Sequence, residues 1–265
     1  MLLAVPVADK VEHRTHTCLT NIFHSLILSG YEYAYHNKQS ANLHASRNRA
    51  VQVAYENGCS HVLFIDSDMT FPDGVQGGME NVVEQLLRHD RDIIGALAVR
   101  KRAPHFPNIA NFDEENQWFV NILDWPEDAL IEVDAIGTST LLIKLSVFDR
   151  ISEHFFSDIP FKDHNWFGFV QLRTNNSIKE LGMDYSFCYR AMKAGLKIFC
   201  DTSIPIGHIG SYTFTVNDFS VYKEEAFEHN TAKVELTKAR VIKEKEIEPD
   251  TKTAIPADNN QEAGK

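Results

Sequence analysis

Apolar residues recur along this chain with two different periods. Residues 2–8 form a short unbroken apolar run of the kind that makes a buried strand. Over 15–29 the apolar positions Leu19, Ile22, Phe23, Leu26 and Ile27 fall on one helical stripe, and Gly30 stands where such a helix stops. Residues 31–35 alternate like a strand, 46–57 read as a second helix ended by Gly58, and 61–65 are a β-rich apolar run that breaks off at Asp66-Ser67-Asp68. Asp73 is placed to cap a third helix, with Val75, Met79, Val82, Val83, Leu86 and Leu87 on one stripe, and a strand is expected over 93–99.

Strands alternating with amphipathic helices predict an α/β domain on a largely parallel sheet, in which ligands bind beyond the carboxyl ends of the strands. After Arg100 the alternation breaks down. Residues 118–123, 130–136 and 140–144 look like strands, 155–176 like a loop, 182–194 like a helix ended by Gly195, and 197–200 like a further strand. The second half therefore reads as mixed rather than doubly wound. The expected organisation is a domain over 1–220, a charged helical extension over 221–242 and a disordered polar tail over 243–265.

Composition narrows the function. The 265 residues are 43% apolar and include 17 Phe, ample for a buried core. A formal net charge of -11 argues against a nucleic-acid backbone as the main partner. The four cysteines contain no CxxC pair, so they read as reduced thiols rather than a zinc site or disulfide framework. No apolar run is long enough to cross a bilayer, and residues 1–9 lack the basic region of a secretory signal, so a cytoplasmic protein is expected.

The chemistry concentrates at Asp66-Ser67-Asp68, which the strand before it delivers to the ligand edge of the sheet. Two carboxylates this close repel unless positive charge lies between them, and a divalent cation shared with substrate phosphates is a common answer. A solvated acidic turn is the alternative. The segment Ser46-Arg-Asn-Arg-Ala-Val, followed by Cys59-Ser-His-Val-Leu-Phe-Ile-Asp-Ser-Asp-Met-Thr, resembles the nucleotide-binding half of GT-A fold glycosyltransferases. The likeness continues in Ile136-Gly-Thr-Ser-Thr-Leu-Leu-Ile-Lys, in Gly182-Met-Asp-Tyr-Ser-Phe-Cys-Tyr-Arg-Ala and in Gly207-His208. It spans about residues 1–210, with four motifs in the order that family shows.

The resemblance implies a Rossmann-like, mostly parallel mixed sheet flanked by helices, with a mixed acceptor-side second half. It also implies transfer of a sugar from a nucleotide-diphosphate donor to an acceptor hydroxyl, with inversion. In its terms Asp66 approaches the donor ribose or the metal, Asp68 binds the metal, His208 completes the coordination, and Arg47 faces the donor diphosphate. Asp184 is the general base, and Gly137 belongs to the acceptor-side strand. The motif's usual Glu is Met183 here. An imidazole beside carboxylates favours Mn²⁺ over Mg²⁺.

Three further positions follow from their places in the chain. Asp9 ends the first strand, where such folds meet the nucleotide. Arg102, in the cluster Arg100-Lys101-Arg102, opens at the ligand edge and is a donor-phosphate candidate, with a solvated basic loop as the alternative. Trp166, in a polar loop, is a candidate sugar platform at the acceptor site. The acceptor itself is open: a glycan, a lipid-linked sugar, a protein side chain or a modified nucleobase. Two other functions fit parts of the pattern. One is a nucleotide-sugar-binding module without catalysis, suggested by Met183. The other is a phosphohydrolase with Asp66 as nucleophile, disfavoured because the motif lies far from the first strand and continues Met69-Thr70.

Overall fold

A computed structural model describes residues 1–71, 81–175, 177–204, 206–228, 230 and 233–242. The first half runs β1 (Leu2–Val7), α1 (His13–Leu28), β2 (Ala34–Gln39), α2 (Leu43–Glu56), β3 (His61–Ile65), β4 (Met69–Thr70), α3 (Val82–Arg88) and β5 (Ile93–Ala96). The second half adds β6 (Ile109–Asp113), β7 (Trp118–Asn121), β8 (Leu130–Val133), β9 (Ala135–Ile136), β10 (Thr140–Lys144), α4 (Leu145–Phe155), β11 (Val170–Arg173) and β12 (Ile178–Leu181). It continues with α5 (Met183–Lys193), β13 (Ile198–Asp201), β14 (Gly207–Ile209), β15 (Thr213–Phe214), α6 (Val216–Ser220), α7 (Lys223–Glu228) and β16 (Arg240–Val241).

Eight strands form the main sheet in the order β16-β8-β13-β5-β10-β3-β1-β2. Strands β2, β1 and β3 run parallel, as do β5 and β13, whereas β10 lies antiparallel between β3 and β5, and β8 is antiparallel to β13. This is the mixed, helix-flanked, Rossmann-like sheet that the sequence implied. Its central strands read as continuous apolar runs because both faces are covered. Leu2, Ala4, Val62 and Phe64 pack with Ala50 and Val51 of α2, Phe148 of α4 and Phe187 of α5. Their neighbours Leu3, Val5, Leu63 and Ile65 turn to the opposite layer, with Leu19, Ile22 and Leu26 of α1 and Val83 and Leu86 of α3.

Several boundaries differ from the expectations. Strand β2 begins at Ala34, where the sequence suggested 31–35, because its register is set by pairing with β1 from Leu2↔Ala34 to Val7↔Gln39. It is the outermost strand, so its polar residues face water and interrupt the apolar signal. Helix α2 starts at Leu43, and the side chain of Asn42 caps it by accepting from the Ala45 N–H. The proposed cap Asp73, with Val75 and Met79, lies outside the described residues. Helix α3 is capped by Asn81 in a capping box with Glu84. Residues 155–176, expected as a loop, contain the end of α4 and strand β11, which pairs with β12 in a separate hairpin. The 221–242 stretch is helical over Lys223–Glu228 and then returns to the main sheet, where β16 pairs with β8. The expected tail over 243–265 lies outside the described residues.

Candidate active site

A turn, a strand pair and the start of a helix build a cleft beyond the carboxyl end of β3. The first is Asp66-Ser67-Asp68, held to the sheet by the hydrogen bond from the Asp66 N–H to the Ser139 carbonyl, 2.9 Å. The short antiparallel pair β4 and β14 sets His208 opposite Met69, and the Ile209 N–H donates to the Asp68 carbonyl at 2.8 Å. Helix α5 begins beside this turn, with Asp184 in its first turn. A cavity of about 540 Å³ opens here, walled by Asp66, Gly137, Met183, Asp184 and His208 among others. The expected residues Asp66, Gly137, Asp184 and His208 therefore share one cavity wall.

Arg47 lies buried behind the cavity wall and ties two of its acidic residues together. It projects from α2 with 3% of its side chain exposed; Nη2 donates to Asp66 Oδ1 at 2.7 Å, while Nη1 lies 2.9 Å from Met183 Sδ and 3.8 Å from Asp184 Oδ1. Its Nε has no partner among the described residues. Met183 thus occupies the place from which a Glu would compete with Asp66 for the guanidinium. Burial pushes the Asp66 carboxyl up to about 6; Arg47 pulls it down, and the nearby Asp184 and Asp68 add to the rise.

Asp184 is held by a second contact. The buried hydroxyl of Thr138, on the turn between β9 and β10, donates to Asp184 Oδ1 at 2.7 Å. That bond fixes the orientation of the carboxylate at the start of α5. Thr138 lies inside the Ile136-Gly-Thr-Ser stretch, where no local pattern marks it for this contact.

Asp68 faces two bases. Lys101 Nζ pairs with Asp68 Oδ2, and His208 Nε2 lies 3.4 Å from the same oxygen. Burial alone raises the Asp68 carboxyl, but the contacts with His208 and Lys101 outweigh it and hold the group below the ordinary range. His208 Nδ1 is 2.8 Å from the Val99 carbonyl, an acceptor, so this nitrogen carries the ring proton. Nε2 therefore faces the Asp68 carboxylate oxygen that Lys101 also contacts. Asp68 and His208 are the two groups at this corner that would hold a divalent cation together with oxygens of a substrate. Among the described residues, no group of three His, Cys, Asp or Glu side chains is placed to hold a metal by itself.

Three expected site residues stand elsewhere. Trp166 is fully buried; its ring packs edge-on against Phe148, Phe161 and His164, and Nε1 donates to Ser152 Oγ at 2.9 Å. It is a core residue and presents no face to an acceptor; the polar residues around it, which suggested a surface loop, bond inward instead. Arg102 is exposed at a turn closed by the His105 N–H to its own carbonyl, 2.9 Å, and it is not part of the cavity wall, which Arg100 lines. Within that basic cluster, Lys101 is the residue that reaches the acidic turn. Asp9 is exposed at the end of β1, its carbonyl accepting from Gln39 Nε2 at 3.1 Å, and it is not part of the cavity wall.

No protein-family model matches the sequence, and no curated protein matches it. Solved structures with a similar chain path include the A197 protein from STIV, at 15% identity and TM-score 0.46, covering 79% of this chain and 85% of that one. A Drosophila β1,4-galactosyltransferase 7 mutant, in complex with manganese, UDP-Gal and xylobiose, is similar at 12% identity and TM-score 0.40, covering 79% of this chain and 71% of that one. A UDP-glucose pyrophosphorylase complexed with UDP-glucose is similar at 9% identity and TM-score 0.40, covering 86% of this chain and 99% of that one. Likenesses this distant assign no ligand and no activity to this chain. Among the described residues, no helix is long and apolar enough to cross a membrane.

Proposed function

We propose that the chain is a divalent-metal-dependent glycosyltransferase that moves a sugar from a nucleotide-diphosphate donor to an acceptor hydroxyl with inversion. The observation that carries this reading is the Arg47 guanidinium set between Asp66 and Asp184, 2.7 Å from one and 3.8 Å from the other, behind a cavity that His208 also walls. A carboxylate suited to accept a proton and a guanidinium suited to attract phosphate beside one cavity support this reading. The sequence motifs at Asp66-Ser67-Asp68 and Gly182-Met-Asp support the same assignment.

In this mechanism the donor diphosphate lies over Arg47 and Lys101, whose charges take up the negative charge that grows on the leaving phosphate. Asp68, His208 and Asp66 would hold the cation, Mn²⁺ in preference to Mg²⁺ because an imidazole is in the set. When bound, it supplies Lewis-acid stabilisation of the diphosphate. Asp184 accepts the proton of the acceptor hydroxyl as that oxygen attacks the anomeric carbon. Thr138 holds the carboxylate in one orientation, so little reorganisation is required at the moment of transfer.

The test is a screen of nucleotide sugars with Mn²⁺, since transferases of this kind pass sugar slowly to water when no acceptor is present. Release of nucleoside diphosphate and free sugar is expected from at least one donor. Pyrophosphate release from a nucleoside triphosphate and a sugar phosphate would instead mark nucleotidyl transfer. Binding of a donor without turnover would mark a binding module.

A further inference from the structure

The cavity at Asp184 does not end there. A second cavity, about 760 Å³, lies beside it, and Trp118, Phe119 and Asn121 of β7 line both. Each volume alone is in the range that holds a small-molecule ligand, so the second cavity adds room beyond the one at Asp184.

The walls of the second cavity carry a consistent chemistry. Trp118 is half-buried, with Lys179 Nζ 5.2 Å from its ring centroid. Carboxamides stand around it in a relay: Asn175 Nδ2 donates to Asn116 Oδ1 at 3.2 Å, and Asn116 Nδ2 donates to Asp113 Oδ2 at 2.7 Å. Asn121 Nδ2 is used on the Pro107 carbonyl at 3.0 Å, which leaves its Oδ1 to accept. Groups that both donate and accept, fixed by their neighbours beside an indole ring, match the alternating hydroxyl and C–H faces of a sugar. Lys179 and Asp113 put both signs of charge on the wall, which suits a neutral chain better than a polyanion, and the amides oppose a lipid tail.

We propose that this second cavity is an extended acceptor subsite for a neutral oligosaccharide, whose terminal hydroxyl reaches Asp184 while its inner rings lie along Trp118, Asn121 and Asn175. The proposal rests on the glycosyltransferase reading and narrows its acceptor to a glycan. It makes β7 the element that separates a mono- from an oligosaccharide.

Saturation-transfer NMR on the full chain tests it, with monosaccharide and trisaccharide pairs from the xylan, cellulose, maltose and chitin series as probes. At least one trisaccharide is expected to bind fivefold or more tighter than its monosaccharide, with saturation on at least two rings. Asn175→Ala, at an exposed position, is expected to remove most of that advantage without changing the melting temperature, and Trp118→Leu to remove it as well. If no trisaccharide of the panel outbinds its monosaccharide, or if the advantage survives both substitutions, the subsite is wrong. Calorimetric titration of the same samples with UDP and GDP keeps the two ideas apart. Diphosphate binding without trisaccharide preference removes the subsite alone, whereas trisaccharide preference without diphosphate binding keeps the subsite and removes the donor site.

Discussion

Arg47 Nη2 sits 2.7 Å from Asp66 Oδ1 with the guanidinium almost wholly buried, and this single contact ties α2 to the carboxyl end of β3 behind the wall of the cleft. Because Asp184 stands 3.8 Å from the same guanidinium, one side chain positions the acidic turn and the start of α5 together. Arg47→Met is therefore expected to leave two carboxylates beside a site without a countercharge. The loss should be about 1–3 kcal/mol in chemical denaturation, below the figure for a wholly buried pair because Asp66 keeps 31% of its side chain exposed. Nucleoside diphosphate affinity should fall with it. Arg47→Lys restores the charge but not the two-pronged geometry, and should recover only part of both.

The second prediction concerns Asp68, which shares Lys101 and His208. Nucleoside diphosphate should bind more tightly in Mn²⁺ than in EDTA, and Asp68→Ala should abolish the increment. Calorimetry with and without metal reads it. Equal wild-type affinities in the two buffers would contradict a cation at this corner.

Trp166→Ala is expected to be a stability defect. The side chain is fully buried among Phe148, Phe161 and His164. Truncating a buried Trp costs about 3–5 kcal/mol, visible as a large fall in melting temperature. A raised acceptor KM in a protein of unchanged stability would return Trp166 to the acceptor site.

Acid stability should depend on Asp201, a buried carboxylate on β13. Burial alone would raise its pKa, but His89 Nε2 at 2.8 Å and Ser203 outweigh burial and lower it. A group lowered in the folded state contributes stability that is complete above the ordinary carboxylate pKa of about 4 and is lost as pH falls through the lower folded value. Melting temperature should accordingly drop below about pH 4 in the wild type. Asp201→Asn should be less stable at pH 7 and lose less on acidification; parallel pH profiles would rule the linkage out.

The legible part of this protein was the part written in local pattern. β1, α1, β3 and α5 are marked by apolar runs, helical stripes and terminal glycines, and the motif at Asp66 to Asp68 follows β3 with nothing between. Placement across the sheet was not legible. Lys101 meets Asp68 because the chain after β5 is held by His208 of β14 at the Val99 carbonyl while β14 pairs with β4, and Thr138 meets Asp184 because β9 packs on α5; neither contact has a local signature. Trp166 failed for the opposite reason. Its sequence neighbours His164 and Asn165 are polar, yet His164 bonds to Ser152 and the Ile159 carbonyl, and Asn165 to Asn48, so a polar segment is folded inward.

Asp184→Asn separates donor binding from transfer, and its turnover with a working donor and acceptor is the most direct measurement of the central claim. The amide keeps the shape and can still meet Thr138, but it takes no proton. Nucleoside diphosphate affinity should stay near wild type while turnover falls about 10² to 10⁴-fold, the usual contribution of a positioned general base, and the wild-type product should show inverted anomeric configuration by NMR. Turnover close to wild type in Asp184→Asn, or a product that retains the donor's configuration, would contradict it.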